Sequence, residues 1–420
     1  MISSAPVLFG VLACILGVIF YTYYNGNRYS QIFYRIFPII LLCYFIPSVI
    51  TSSGMLTEEG SEAISQLYTV ASRYLLPAAL VLLTMSIDLK RIAALGIKPL
   101  ILFFTATIGI IIGGPIALLI VGAIQPEWVG GEGNDAVWKG MTTVAGSWIG
   151  GGANQLAMKE TFDVGDAIFS SMIAVDVLVA QIWMAVILYM ASRAKEIDAK
   201  VGADVRSIEE IKQTVEAFEK KHARIPQTKD FMGILAVGFG ATAIGHIVAN
   251  FMGPFMASTL PLIHEDLASS GLDSPFLWLI LTVTVIGISL SFTPLKNLVG
   301  AGSSNIASVF IFILVVVIGL KMDITAVVNT PQLFVIGIIW MAIHASLMLI
   351  VARLIRAPLF FMAVCSQANV GGAASAPVVA SAFHPSLAPV GALLAILGYA
   401  VGSVGAWICG EIMRVIATGG

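Results

Sequence analysis

Charge is scarce in this chain. Only 11% of its 420 residues are Asp, Glu, Lys or Arg, less than half of the roughly 25% usual in soluble domains. Hydrophobic residues make up 58%, and the mean hydropathy is +0.95. Ile101–Gln125 carries no charge at all, whereas Arg193–Asp230 holds nine basic and eight acidic residues. So uneven a poverty of charge excludes an ordinary soluble fold and points to an all-α polytopic membrane protein. The four cysteines, Cys14, Cys43, Cys365 and Cys409, all lie in apolar segments and imply no disulfide framework. The N-terminus, MISSAPVLFGVLACILGVIFYTYY, lacks the basic stretch of a secretory signal and reads as the first spanning helix.

Catalytic signatures are missing too. There is no HExxH zinc pattern, no GxSxG elbow and no pair of intramembrane aspartates, so no enzyme is expected. Without a Walker A motif, energy has to come from an ion gradient or a partner, and no cofactor is expected. A net charge of −2 offers no footprint for nucleic acid.

What is present is a series of apolar runs near 6–24, 33–52, 68–87, 99–123 and 166–193, and again near 231–252, 275–293, 303–321, 333–354 and 387–413. Two more segments, 138–160 and 358–383, are interrupted by glycine. The halves match in order. LTMSIDL (83–89) and IGLKMDI (318–324) each end a span, and GGANQ (151–155) aligns with GGAAS (371–375) at an offset of 220 residues. This predicts two repeats of six segments, 1–193 and 230–420, joined by a charged linker at 194–229. If the broken segments are re-entrant rather than crossing, each half has five crossings and the second half is inverted. With the N-terminus outside, 17 of the 22 Lys and Arg then lie on the cytoplasmic side, linker included, as the positive-inside rule prefers.

Glycine weakens a helix by about 1 kcal/mol relative to alanine, and open backbone in lipid costs several kcal/mol per unsatisfied group. Two matched breaks, Gly150–Gly152 and Gly371–Gly372, are therefore expected to unwind around a ligand near the midplane, where helix ends offer N–H groups to anions and carbonyls to cations. Ser147, Asn154 and Gln155 flank the first break, and Ser366, Gln367, Asn369 and Ser375 the second; neutral amides and hydroxyls bind carboxylates or dehydrated Na+ without burying a permanent charge. The competing reading, close helix packing by small residues, explains one glycine pair better than two matched ones. Pro377 is expected to help keep the second break open.

Asp176 lies ten residues beyond Asp166 in the helix after the first break, about 15 Å into a core about 30 Å thick. A carboxylate there costs about 2.5–3.5 kcal/mol and is a functional candidate by default. It reads as the coupling site, titrating with H+ or completing a Na+ site near Asp176, Asn154 and Gln367; the alternative is a structural carboxylate bonded to a neighbouring helix. The repeat places Ile396 at the equivalent position. Glu411 and Arg414 suit a local ion pair, His246 and His344 suit packing histidines, Asp88 and Asp323 suit helix boundaries, and Arg73 suits snorkelling.

With the repeat, SWIGGGANQ and SQANVGGAASAP, the chain resembles the YjcL-type family of bacterial and plant integral membrane proteins, a family of unknown function. That family is similar to a clan of bile-acid and glutamate sodium symporters, 2-hydroxycarboxylate transporters and cation:proton antiporters. The resemblance implies an elevator-type core (68–193 and 303–415) moving against a scaffold (1–52 and 231–293) that forms a homodimer in the bacterial inner membrane, coupled to Na+ or H+. The expected activity is transport of a small carboxylate or amino-acid-like solute. A cation:proton antiporter using Asp176 is the alternative, against which the lack of a second acid beside Asp176 argues.

Overall fold

The computed structural model describes residues 4–37, 39–52, 58–87, 92, 95–203, 208, 226–263, 272–321, 330–384 and 387–418. Asp88, Lys90, Arg91, Asp323 and most of the expected linker lie outside the described residues. Within them the chain is entirely helical, with seventeen α-helices and no strand.

The first span is α1 (Ala5–Asn25). The run expected at 33–52 divides into α2 (Arg28–Ile36) and α3 (Ile39–Ser52). Phe37 precedes Pro38, which disfavours helical geometry, and it takes φ −114°, ψ 94°. α4 (Glu58–Val70) continues through a π-helical turn at Ala71–Leu75 into α5 (Leu76–Thr84). Pro77 has no N–H to offer the Arg73 carbonyl, which instead accepts from His246 Nε2 at 2.8 Å. Then follow α6 (Ile97–Ile124), the broken segment α7 (Val137–Gly150) and α8 (Gly152–Thr161), and the long α9 (Asp166–Ala191). α10 (Ala194–Val201) opens the linker.

The second half comprises α11 (Thr228–Ile263), α12 (Pro275–Leu290), α13 (Ser303–Gly319) and α14 (Gln332–Leu354), the broken segment α15 (Leu359–Val370) and α16 (Gly372–Phe383), and α17 (Ala388–Thr418). Among the described residues seven helices are long and apolar enough to cross a bilayer; an eighth is added if α12 and the 3-10 turn Pro294–Ala301, bent by 97°, form one span.

Both broken segments turn back on themselves. Trp138, near the start of α7, meets Phe162, just past the end of α8, with ring centroids 5.9 Å apart. Phe360 and Phe383, at the two ends of the second segment, are 5.4 Å apart. Straight helices would separate either pair by roughly 35 Å. The legs also touch near the tip: a Cβ on Gly146 would stand 2.6 Å from the Asn154 carbonyl oxygen. Each segment is thus a helical hairpin with glycine at its tip.

Packing sorts the helices into two groups. In one, α6 lies along α14, where Gly113 and Gly114 make room for the Trp340 indole, and α17 threads between α7, α6, α15 and α16. In the other, α11, α12 and α13 gather around α5, with α3 against α13. Without a hydrophobic drive between helices in lipid, such close contacts over small residues supply the association. The spans α5 and α13, expected in the core, pack with the α11–α12 group.

A polar seam joins the groups. Arg73 pairs with Glu160 at 2.8 Å, so it is engaged rather than snorkelling, and Tyr68 donates to the same Glu160. Asp166 is held between Lys159 at 2.9 Å and Lys321 at 3.1 Å.

Candidate functional site

The hairpin tips meet. At the first, Gly151 has φ +77°, ψ −177°; at the second, Gly372 has φ +57°. Both lie where a side chain is strained, which is why glycine occupies them. A Cβ on Gly372 would sit 3.6 Å from the Gly151 Cα, so the two breaks stand against one another. α17 passes beside them on two glycines. A Cβ on Gly398 would lie 2.8 Å from the Ile149 carbonyl oxygen and 3.5 Å from that of Ala368, and one on Gly402 would lie 2.8 Å from the Gly150 Cα. α16 runs through Pro377, so Gly371 and Gly372, not the proline, set the second break.

Asp176 is buried in α9 and accepts three hydrogen bonds from the first hairpin. Ser147 Oγ donates at 2.7 Å and Gln155 Nε2 at 2.9 Å to one carboxylate oxygen, and Trp148 Nε1 donates at 2.7 Å to the other. Among the described residues no basic side chain pairs with it. Three donors therefore solvate the carboxylate in place of a counter-ion. Ser147 and Gln155 sit four residues before and four after Gly151, so the carboxylate pins both legs of the hairpin to α9. Neither Asn154 nor Gln367, the other expected partners of a Na+ at Asp176, is bonded to it.

The same helix holds the second hairpin. Trp183 lies seven residues beyond Asp176, two turns along one face, and its Nε1 donates to Ser366 Oγ at 2.8 Å. His344 Nε2 is also 2.8 Å from Ser366 Oγ, while its Nδ1 faces the Ala106 carbonyl at 3.2 Å. A carbonyl only accepts, so Nδ1 carries the proton and Ser366 donates to Nε2. His344 is a satisfied histidine, yet its partner is one of the expected site residues.

The asparagines are also engaged within the fold. Asn154 Nδ2 donates to the Gly150 carbonyl at 2.8 Å and its Oδ1 accepts from Ser403 at 2.5 Å. Asn369 Oδ1 accepts from Thr107 at 2.8 Å and its Nδ2 donates to the Cys365 carbonyl at 3.1 Å. Gln367 Nε2 donates to Ser375 Oγ at 2.8 Å, while Gln367 Oε1 is buried without a partner among the described residues. Gly150 and Gly152 close and open the helices either side of Gly151. The structure thus gathers the expected residues at two touching tips but commits most of their side chains to neighbouring helices.

Sequence reasoning missed Trp148, Trp183, Ser403 and Thr107. A buried tryptophan N–H needs an acceptor, and that was the available signal for Trp148. The other three depend on helices brought together only by the fold. Among the described residues no group of three His, Cys, Asp or Glu side chains is arranged to hold a metal.

A family described as a protein of unknown function, DUF819, matches residues 10–416. An uncharacterized membrane protein, YjcL, from Bacillus subtilis (strain 168) is 24% identical over 372 residues, which is 84% of this chain and 84% of that protein.

Proposed function

The chain belongs to this DUF819 family of membrane proteins, and on that premise we propose that it is an ion-coupled secondary transporter working by alternating access at the two opposed hairpins. The observation that carries the reading is the meeting of the tips, Gly372 against Gly151. Non-helical backbone at membrane depth is tolerated where protein buries it or where it lines a wet cavity, and paired breaks in corresponding positions of two halves mark binding sites in transporters.

In this proposal the repeats are inverted, the N-terminus is outside and the linker is cytoplasmic. The mobile body is α6–α9 with α14–α17, and the rest forms a scaffold that dimerises. The solute is a small carboxylate or amino-acid-like compound held between the tips. Asp176 couples transport to H+ rather than Na+: its neighbours are donors, which suit a carboxylate and repel a metal cation. A proton on Asp176 would remove one accepting position and loosen the first hairpin from α9, which links protonation to hairpin movement.

The test is uptake of radiolabelled solute into reconstituted liposomes, screened over small carboxylates and amino acids under an imposed proton or sodium gradient. The expected result is saturable uptake of at least one compound that follows the proton gradient and is lost in Asp176→Asn. Flux that does not saturate would indicate a channel, and no gradient-driven uptake of any compound would remove the reading.

A further inference from the structure

The two hairpins carry the same pair of side chains in reverse. Ser147 and Gln155 lie four residues either side of Gly151; Gln367 and Ser375 lie four residues either side of Gly371. In the first hairpin both members donate to Asp176. In the second, the residue at the position of Asp176 is Ile396, and the pair bonds to itself, Gln367 Nε2 to Ser375 Oγ at 2.8 Å. That leaves Gln367 Oε1 buried with no partner among the described residues, on a residue only 1% exposed.

An unsatisfied buried acceptor costs about 1–3 kcal/mol, so an orphan here needs a reason. Acceptors adjoin it along the chain and across the tips. Gln367 lies in the last turn of α15, whose final carbonyls have no partner within the helix and carry the negative end of its dipole. The Ile149 carbonyl, from the last turn of α7, and the Ala368 carbonyl approach the same side-chain-free position at Gly398. At the junction of the tips the carbonyl ends of α7 and α15 stand beside the N–H ends of α8 and α16, and the carbonyl ends, an amide oxygen and a serine hydroxyl make up its acceptor side. No acid belongs to this set, so a divalent ion would lack compensating charge.

We infer that Gln367 Oε1, with Ser375 and the carbonyl ends of α7 and α15, forms a binding site for a small monovalent cationic centre, separate from the Asp176 site. Two sources have this chemistry, a sodium ion and the primary ammonium group of an organic solute. The first hairpin is filled by its own carboxylate and the second is left open to a ligand. The site's use in transport rests on the transporter reading above; the binding does not.

The experiment measures binding, by the thermal midpoint of the purified full-length protein titrated with NaCl, methylammonium chloride, potassium chloride or potassium acetate at constant ionic strength. A saturable rise with Na+ and not methylammonium identifies the metal ion as the occupant; the reverse identifies an ammonium head. Either supports the site. Gln367→Leu should weaken the response about tenfold or more, the loss expected of one charge-assisted hydrogen bond. Gln367→Glu should strengthen it, because the oxygen is kept and a charge is added. This second variant decides the matter if the leucine variant does not fold. No saturable rise with either cation, a rise undiminished in both variants, or a rise with acetate in place of a cation would overturn the proposal. A cation response in a protein that shows no gradient-driven solute uptake would keep the site and remove the transporter reading.

Discussion

Asp176 concentrates the energetics of the first hairpin in one side chain. Asp176→Asn keeps the shape but offers an NH2 where donors converge, setting donor against donor at Trp148 or at Ser147 and Gln155. A cost of about 1–3 kcal/mol follows from the group left unsatisfied. Asp176→Ala strands all three donors and should cost more. The thermal midpoint in detergent should fall in the order wild type, Asn, Ala; an unchanged midpoint in both variants would mean that the carboxylate does not hold the hairpin.

Gly402 is the packing counterpart. A methyl there would stand 2.6 Å from Asn154 Nδ2 and 2.8 Å from the Gly150 Cα, so α17 would have to move off the tip. Gly402→Ala is expected to lower stability by about 1–3 kcal/mol, the usual range for overpacking, and thermal denaturation would show it. At this scale the sequence was informative about the acid and the glycines, because a carboxylate or an open backbone in lipid needs a reason. It was silent about Ser403 and Thr107, since nothing in either residue says which amide it will meet.

The hairpin is the element on which the site depends, and an unexpected residue caps the second one. Asp198, in α10 at the start of the linker, accepts from the Leu359 N–H at 2.7 Å, covering the N-terminus of α15. Burial raises its carboxyl above the ordinary value, with the Leu359 hydrogen bond pulling the other way. The folded state then holds the Asp198 proton to a higher pH than the unfolded state does. Stability from this group is therefore greatest below the unfolded value and falls as pH rises through the raised one. Asp198→Asn keeps an accepting oxygen and removes the titration. Thermal midpoints from pH 3.5 to 7 should show a component that declines with pH in the wild type and is absent in the variant. The breaks themselves were legible, because two glycine clusters recur at a fixed offset. That they fold back was not, since it rests on Trp138 meeting Phe162 and Phe360 meeting Phe383, contacts between residues more than twenty apart.

At the scale of the whole molecule, the polar seam joins the two helix groups through charge. Arg73 and Tyr68 reach across to Glu160, and Lys321 to Asp166. The Arg73 guanidinium is 41% exposed, so its pair contributes little to folding, within about 1 kcal/mol after screening. Its expected effect is on the balance between arrangements of the two groups. Glu160→Gln should raise amide hydrogen exchange in α8 with little change in thermal midpoint, and the double variant Arg73→Gln, Glu160→Gln should add nothing further if the two act as one pair. Exchange identical to the wild type would assign the seam no role in holding this arrangement.

Sequence alone determined the membrane setting, the helical class, the two glycine breaks and the family, because each follows from local composition or from a repeated pattern. Tertiary structure decided what those features do. It turned the breaks into hairpins that touch, placed Asp176 among donors, grouped α5 and α13 with α11 and α12, and left Gln367 Oε1 without a partner among the described residues. The physical reason is that lipid rewards any apolar helix alike, so the sequence marks spans well. Hydrogen-bond partners and close glycine contacts are instead chosen between distant segments, as with Thr51 Oγ1 and the Leu320 carbonyl, 269 residues apart, and only the folded chain brings them together.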